Sequence, residues 1–140
     1  MKRFLPLIVL PWTLCAGAVF GADKVDFNYD IRPLISSKCY HCHGPDEKSR
    51  KAKLRLDVRE DALKEHESGP TIVPGDAEAS ELIKRIVSKD PDEIMPPPKE
   101  EHALSAHEVD LFRRWIAEGA EYKPHWSFVK PTRSVVPVLA

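Results

Sequence analysis

The sequence has almost no net charge and few sulfur-containing residues. Over 140 residues, 21 Lys and Arg oppose 22 Asp and Glu, so the formal charge is −1 and no basic field exists for nucleic acid or anionic lipid. Only three cysteines and two methionines are present. No internal repeat, Ser/His/Asp set, paired-acid arrangement or phosphate loop stands out. With 42% hydrophobic and 31% charged residues, the composition is typical of one globular domain.

One uncharged hydrophobic run stands near the start of the chain. It extends from Phe4 to Val19, follows Lys2 and Arg3, and ends in small residues before the charged chain begins at Asp23. The run is short for a membrane span of about 20 residues and contains two prolines. We therefore predict that residues 1–22 are a cleavable secretory signal rather than an anchor. The mature protein is then exported, to the periplasm or an equivalent space, without a membrane attachment.

Removal of the signal changes the residue counts. Two basic residues leave, so 19 Lys and Arg oppose 22 Asp and Glu and the charge becomes −3. One cysteine and one methionine also leave. Cys39 and Cys42 are then the only cysteines, and Met95 is the only methionine.

Hydrophobic spacing and capping residues predict a mostly helical fold with long Pro-rich loops. The predicted helices cover residues 28–40, 57–64, 76–88 and a final segment from Ser105 to about Gly119. Their predicted N-caps are Asn28, Asp57, Asp76 and Ser105, and Ser105 also forms an S-x-x-E capping box with Glu108. Residues 65–75 and 90–101 are predicted loops. The second loop is stiffened by four of the 13 prolines.

Residues 39–43 read Cys-Tyr-His-Cys-His. A C-x-x-C-H segment is the attachment signature of c-type haem. Cys39 and Cys42, three positions apart at the end of a helix, are spaced to bond the two vinyl groups of the porphyrin. His43 follows directly and is placed to bind the iron as proximal ligand. Because each residue type has its own chemical task, the motif is more specific than a bare C-x-x-C.

Three other interpretations of the cysteine pair remain. A thioredoxin-like redox disulfide is disfavoured because no βαβ pattern surrounds it. A zinc site needs two further Cys or His ligands at pair spacing, whereas the remaining histidines are scattered, at positions 66, 102, 107 and 125. A structural disulfide would suit an exported protein. The spacing together with predicted export favours haem.

Met95 is the candidate for the second axial ligand. It lies 52 residues after His43, directly before three prolines that make its loop rigid. Most methionines are core residues, but a thioether in such a loop favours ligation. His102 and His107 are the alternative ligands. Arg55 or a neighbouring residue is a weaker candidate to pair with a haem propionate.

The segment DFNYDIRPLISSKCYHCHGPD resembles the opening of the planctomycete-type cytochrome c domain. The resemblance continues in order through RKAKLRLDVREDALK, IVPGDAEASELIKRI, DEIMPPP and LSAHEVDLFRRWIAEGAEYKPHWSF. It implies a class I cytochrome c-like fold that wraps the haem, with the first and last helices crossing beside it. It also implies thioether bonds at Cys39 and Cys42, proximal His43 and distal Met95. In this family the domain usually stands at the N-terminus of a longer exported protein.

These features together predict a one-electron carrier rather than an enzyme, with one covalent haem c and an iron held by His43 and Met95. Redox proteins would dock transiently at the haem edge. Two alternatives are a haem module within a larger exported oxidoreductase or hydrolase-like protein, and a haem-based sensor of small ligands. The predicted haem domain covers residues 23–123, and residues 124–140 form a Pro-rich tail or a linker to further domains.

Overall fold

Short helices joined by turns make up most of this computed structural model, which describes residues 23–100 and 103–131. The predicted signal, residues 1–22, and residues 132–140 of the predicted tail lie outside the described residues. The helices are α1 (Arg32–Lys38), α2 (Tyr40–His43), α3 (Arg59–Ala62), α4 (Glu81–Val87) and α5 (Ala106–Ala117), with a π-helical turn at Phe27–Ile31 and 3-10 turns at Pro98–Glu100 and Trp126–Phe128. The prediction of a mostly helical fold is confirmed. None of the described helices has the length and apolarity needed to cross a membrane.

The segment before the C-x-x-C-H motif is helical, but it begins and breaks at different residues from those predicted. Asp26, not Asn28, is the N-cap, because its side chain accepts hydrogen bonds from the backbone N–H of Asn28 and Tyr29 at 2.8 and 3.2 Å. The π-helical turn then passes directly into α1. Cys39, with φ −123°, interrupts the helix before α2.

The prediction that Asp57 caps a helix is wrong. Its carboxylate binds the Arg55 guanidinium through two contacts, at 3.1 and 2.5 Å, and α3 begins after Val58 without a side-chain cap. The predicted loop 65–75 contains a small antiparallel pair, β1 (Glu65–His66) and β2 (Gly69–Pro70). Gly69 turns the chain with φ +107°, a conformation that favours glycine.

Asp76 does not begin α4 either. Its side chain accepts a hydrogen bond from Ala79 N–H at 3.0 Å and so holds a turn that precedes the helix. Ser80 is the N-cap residue, and its buried hydroxyl donates to Asp76 O and accepts from Val73 N–H. Local side-chain to backbone bonding therefore moves the helix start five residues beyond the predicted cap.

The start of α5 is as predicted. Ser105 accepts from Glu108 N–H while the Glu108 carboxylate accepts from Ser105 N–H at 2.7 Å, which completes the capping box. Just past the end of α5, Gly119 has φ +105°. Gly119 and Ala120 donate their N–H groups to Ile116 O and Trp115 O, both at 2.9 Å. These two bonds form a Schellman motif and satisfy carbonyls at the helix end.

The core lies between the first helical segment and α5. Phe27 stacks on Trp115 with ring centroids 5.6 Å apart and contacts Tyr122 at 4.5 Å. The other fully buried core residues include the following apolar side chains: Ile31, Ile35, Ile72, Ile83, Phe112 and Ile116. Polar contacts close the same junction, because Lys24 binds Glu121 and Lys123 binds Asp26. Cys39 and Tyr40 of the motif pack against this core.

Candidate cofactor site

Two adjoining cavities lie beside the C-x-x-C-H motif. The first has a volume of about 300 Å³ and the second about 210 Å³. Both are lined by Cys39, His43, Ala52, Ile86 and Met95. The first volume lies at the lower limit of the roughly 300–1,000 Å³ that is usual for sites of small organic ligands. The structure therefore brings Met95, distant in sequence, to the same cavities as the motif.

The Nδ1 atom of His43 is fully buried and has no hydrogen-bond partner among the described residues. Burial, with a smaller effect of nearby His66, holds the pKa of His43 below its ordinary value, while the Lys51 backbone acts in the opposite direction. The ring is therefore neutral at neutral pH. A neutral imidazole is the form that binds a metal.

The two cysteines differ in their surroundings. Cys39 lines both cavities, and burial raises the pKa of its thiol to about 12, so it stays protonated at neutral pH. Cys42 lines only the second cavity. Both are free thiols. Among the residues that the structure describes, no three His, Cys, Asp or Glu side chains gather as a zinc site would require.

Backbone hydrogen bonds fix the motif from outside. The carbonyl of Cys42 accepts from Lys51 N–H at 2.7 Å, and that of His43 accepts from Leu56 N–H at 2.8 Å. Gly44 ends α2 where only glycine fits, because a Cβ there would lie 2.4 Å from the Tyr40 carbonyl oxygen. The loop 44–56 thus wraps against the motif and orients it.

Met95 is held by a different means. Its N–H donates to the Arg85 carbonyl at the end of α4, at 3.0 Å. A turn at Asp90 precedes it, in which the carbonyl accepts from Ile94 N–H and the side chain accepts from Asp92 N–H. Pro96 to Pro98 follow and limit the backbone. The predicted loop is therefore largely irregular, apart from the 3-10 turn at its end.

The remaining candidates from the sequence are His102, His107 and Arg55. His107 is exposed on α5 and lines neither cavity, and His102 lies outside the described residues. Arg55 is bound to Asp57 and lines neither cavity. Phe112 lines the first cavity. Tyr40 lines neither cavity, and its buried hydroxyl is, with His43 Nδ1, one of the two buried side-chain polar atoms without a partner among the described residues.

A polar group at the first cavity is absent from the sequence predictions. Arg85 donates from Nε to Glu81 at 2.8 Å and from Nη2 to the Ser68 hydroxyl at 3.2 Å, and His66 lies beside them on β1. The Glu81–Arg85 spacing of four residues on a helix is a sequence signal for this ion pair. Ser68 and His66 come from the hairpin, which lies in a segment predicted as a loop.

The residues present fit a haem. Most of the first cavity is apolar, as a porphyrin ring requires, and its lining includes Leu54, Leu56, Leu82, Ile86, Leu104 and Phe112. An imidazole and a thioether, the two side chains that hold iron in cytochromes c, line both cavities. The two thiols of Cys39 and Cys42 and the polar group around Arg85 also belong to the lining of the two cavities.

Residues 39–99 match the family Planctomycete cytochrome C. The match confirms the resemblance seen in the motifs. It starts at the first cysteine of C-x-x-C-H and extends past Met95, so it contains Cys39, Cys42, His43 and Met95. No curated protein and no solved structure matches the chain. A cytochrome c family implies haem c and indicates an electron carrier rather than an enzyme. The individual roles of Cys39, Cys42, His43 and Met95 stay predictions.

Proposed function

We propose that this protein is an electron-transfer domain that carries one haem c, bonded covalently to Cys39 and Cys42 and ligated by His43 and Met95. The observation that carries the proposal is the presence of His43 and Met95 in the lining of the same two cavities, with Cys39 beside them. These residues are separated by 52 positions and share no helix or strand. Membership of the segment 39–99 in a cytochrome c family supports the same conclusion.

The protein residues have separate tasks in this proposal. When bound, the haem supplies an iron that accepts and releases one electron. His43 offers a neutral imidazole because burial lowers its pKa, so no proton has to leave before it binds. Met95 offers a thioether from a loop with little freedom to move. Ligands held in place on both sides keep reorganisation small when the electron moves, and His/Met ligation raises the potential.

The surroundings of the site suit exchange of electrons with other proteins. The second cavity is bordered by the exposed His41 and by Lys38 and Glu100, so the edge that carries Cys42 lies near the surface. We infer that redox partners dock there transiently, through a small interface. We also infer export, since attachment of haem to C-x-x-C-H takes place outside the cytoplasm and residues 1–22 have the pattern of a secretory signal.

The test is the intact mass and visible spectrum of the protein exported from a host that attaches c-type haem. We expect a mass increase of one haem per chain that survives denaturation. Replacing both Cys39→Ala and Cys42→Ala should remove this increase completely. The control is Ser37→Ala, because Ser37 borders the second cavity without a role in attachment. A wild-type mass equal to that of the bare polypeptide would reject the proposed function in favour of a disulfide or metal site.

A further inference from the structure

We propose that Arg85 binds the carboxylates of the cofactor at the polar end of the first cavity, and that Glu81 and Ser68 position its guanidinium. This inference rests on the proposed function and assigns a further binding residue to the same site. The structure favours Arg85 over Arg55 for this role, because Arg55 lines neither cavity.

The polar group lies away from the second cysteine. His66, Ser68, Glu81 and Arg85 line the first cavity and not the second, whereas Cys42 lines the second and not the first. The residues common to both cavities lie between these two ends. In haem, the propionates leave the ring at the edge remote from the vinyl groups. A ring joined to Cys42 would thus direct its carboxylates toward the end that holds Arg85.

Arg85 has unused hydrogen-bond capacity. A guanidinium carries five N–H donors, and here one on Nε binds Glu81 and one on Nη2 binds Ser68. The side chain is 30% exposed and lines the cavity, so it is neither fully buried nor free in solvent. Arginine binds carboxylates through paired N–H groups at this kind of position.

The neighbours of Arg85 explain why its charge is needed. The Glu81 side chain, 18% exposed, lines the same cavity, and a carboxylate brought close to it would be repelled. Arg85 lies between Glu81 and Ser68 and offsets that repulsion. Glu81 in turn holds the guanidinium through an i,i+4 contact along α4, so that the unused donors have a fixed direction.

The experiment compares reduction potentials of haem-loaded wild type and Arg85→Gln between roughly pH 5 and pH 8. Without Arg85, an unpaired negative charge near the iron favours the oxidised form, so the potential should fall. The pKa of the released carboxylate should also rise, and the potential should then decrease with increasing pH in this range. Haem content per chain should stay at the wild-type value.

Two further variants keep the test decisive. Arg113→Gln is the matched control, because Arg113 is similarly exposed, pairs with Glu78 and lines neither cavity. Arg85→Lys keeps the charge and should shift the reduction potential less, in the same direction. This variant replaces Arg85→Gln in the test if the glutamine variant does not fold. If Arg85→Gln had the same potential and pH profile as Arg113→Gln, the role of Arg85 would be overturned and the proposed function would not be affected. Absence of covalent haem from the wild type would instead overturn the proposed function.

Discussion

The two sides of the candidate site are built in different ways. On the motif side, the carbonyls of Cys42 and His43 accept backbone hydrogen bonds from the loop 44–56, and α1 packs into the main core through Ile35. On the Met95 side, one backbone hydrogen bond to Arg85 and the following prolines hold the loop. Met95 itself is half-buried. One side is fixed by packing and hydrogen bonds, and the other mainly by the limits that proline places on the chain.

This difference separates two properties of the protein. Changes on the motif side should alter folding and attachment together, because the same contacts serve both. Changes on the Met95 side should alter ligation while folding and attachment persist. The following predictions test that separation.

The largest effect is expected from Gly44→Ala. The new Cβ would lie 2.4 Å from Tyr40 O and 2.9 Å from Tyr40 Cα, both backbone atoms that cannot give way without moving α2. We expect the free energy of unfolding to fall by about 2–3 kcal/mol, the upper part of the range for overpacking, and the yield of haem-loaded protein to fall with it. Urea unfolding and intact mass measure the two effects.

Gly75→Ala is the control for this variant. Gly75 has φ +88°, but a Cβ there meets nothing within 4 Å. Its replacement should cost about 1 kcal/mol from backbone strain and leave attachment unchanged. Equal losses in the two variants would show that the close approach at Gly44 does not support the motif.

A smaller effect on stability, with a large effect on the spectrum, is expected from Met95→Leu. The side-chain volume is nearly kept, so the free energy of unfolding should change by less than about 1.5 kcal/mol. The thioether is lost, and the oxidised protein should lose its methionine–iron charge-transfer band while haem stays attached. Persistence of that band in the variant would reject Met95 as a ligand.

The smallest effect is expected from Asp26→Ala. Asp26 caps the helical segment that leads to the motif. Lys123 lowers the pKa of Asp26 most, the N–H groups of Asn28 and Tyr29 lower it further, and burial acts against them. Because the folded-state pKa is below 3.8, this contribution to stability is present above pH 3.8 and is lost as the pH falls through the folded value.

Loss of the Asp26 cap should lower the free energy of unfolding by about 1 kcal/mol at pH 7. The difference from wild type should vanish in acid below the folded-state pKa. Denaturant unfolding at several pH values measures it. Asp23→Ala is the control, since Arg114 binds the backbone carbonyl of Asp23 and not its side chain. A pH-independent difference would contradict the role assigned to the Asp26 carboxylate.

Helix starts were predictable where the capping residue has no competing partner nearby. The capping box of Ser105 and Glu108 depends on residues three apart, and α5 begins where it was predicted. The cap at Asp57 failed because Arg55, two residues before it, binds the same carboxylate. The cap at Asp76 failed because Ser80 also bonds the backbone of its turn. In both cases a competing partner that the capping pattern does not include decided the outcome.

The candidate site shows the same limit. The C-x-x-C-H motif is local, so its three residues could be selected from sequence. Met95 was selected by its loop, and only the fold shows that it lines the cavities with His43. Arg85 and Ser68 meet through the hairpin and α4, 17 positions apart, and no periodicity marks that contact.

Residues at the two ends of the described chain bind each other across separations of 91 to 97 positions, as in the bonds of Asp23 with Arg114 and Lys24 with Glu121. Contacts of such high sequence separation form late, because the chain between them must first be ordered. Until α5 packs against the first helical segment, Cys39 and Cys42 should therefore stay accessible to solvent. A chain that stops before Trp115 should leave its cysteines accessible and its cavities unformed.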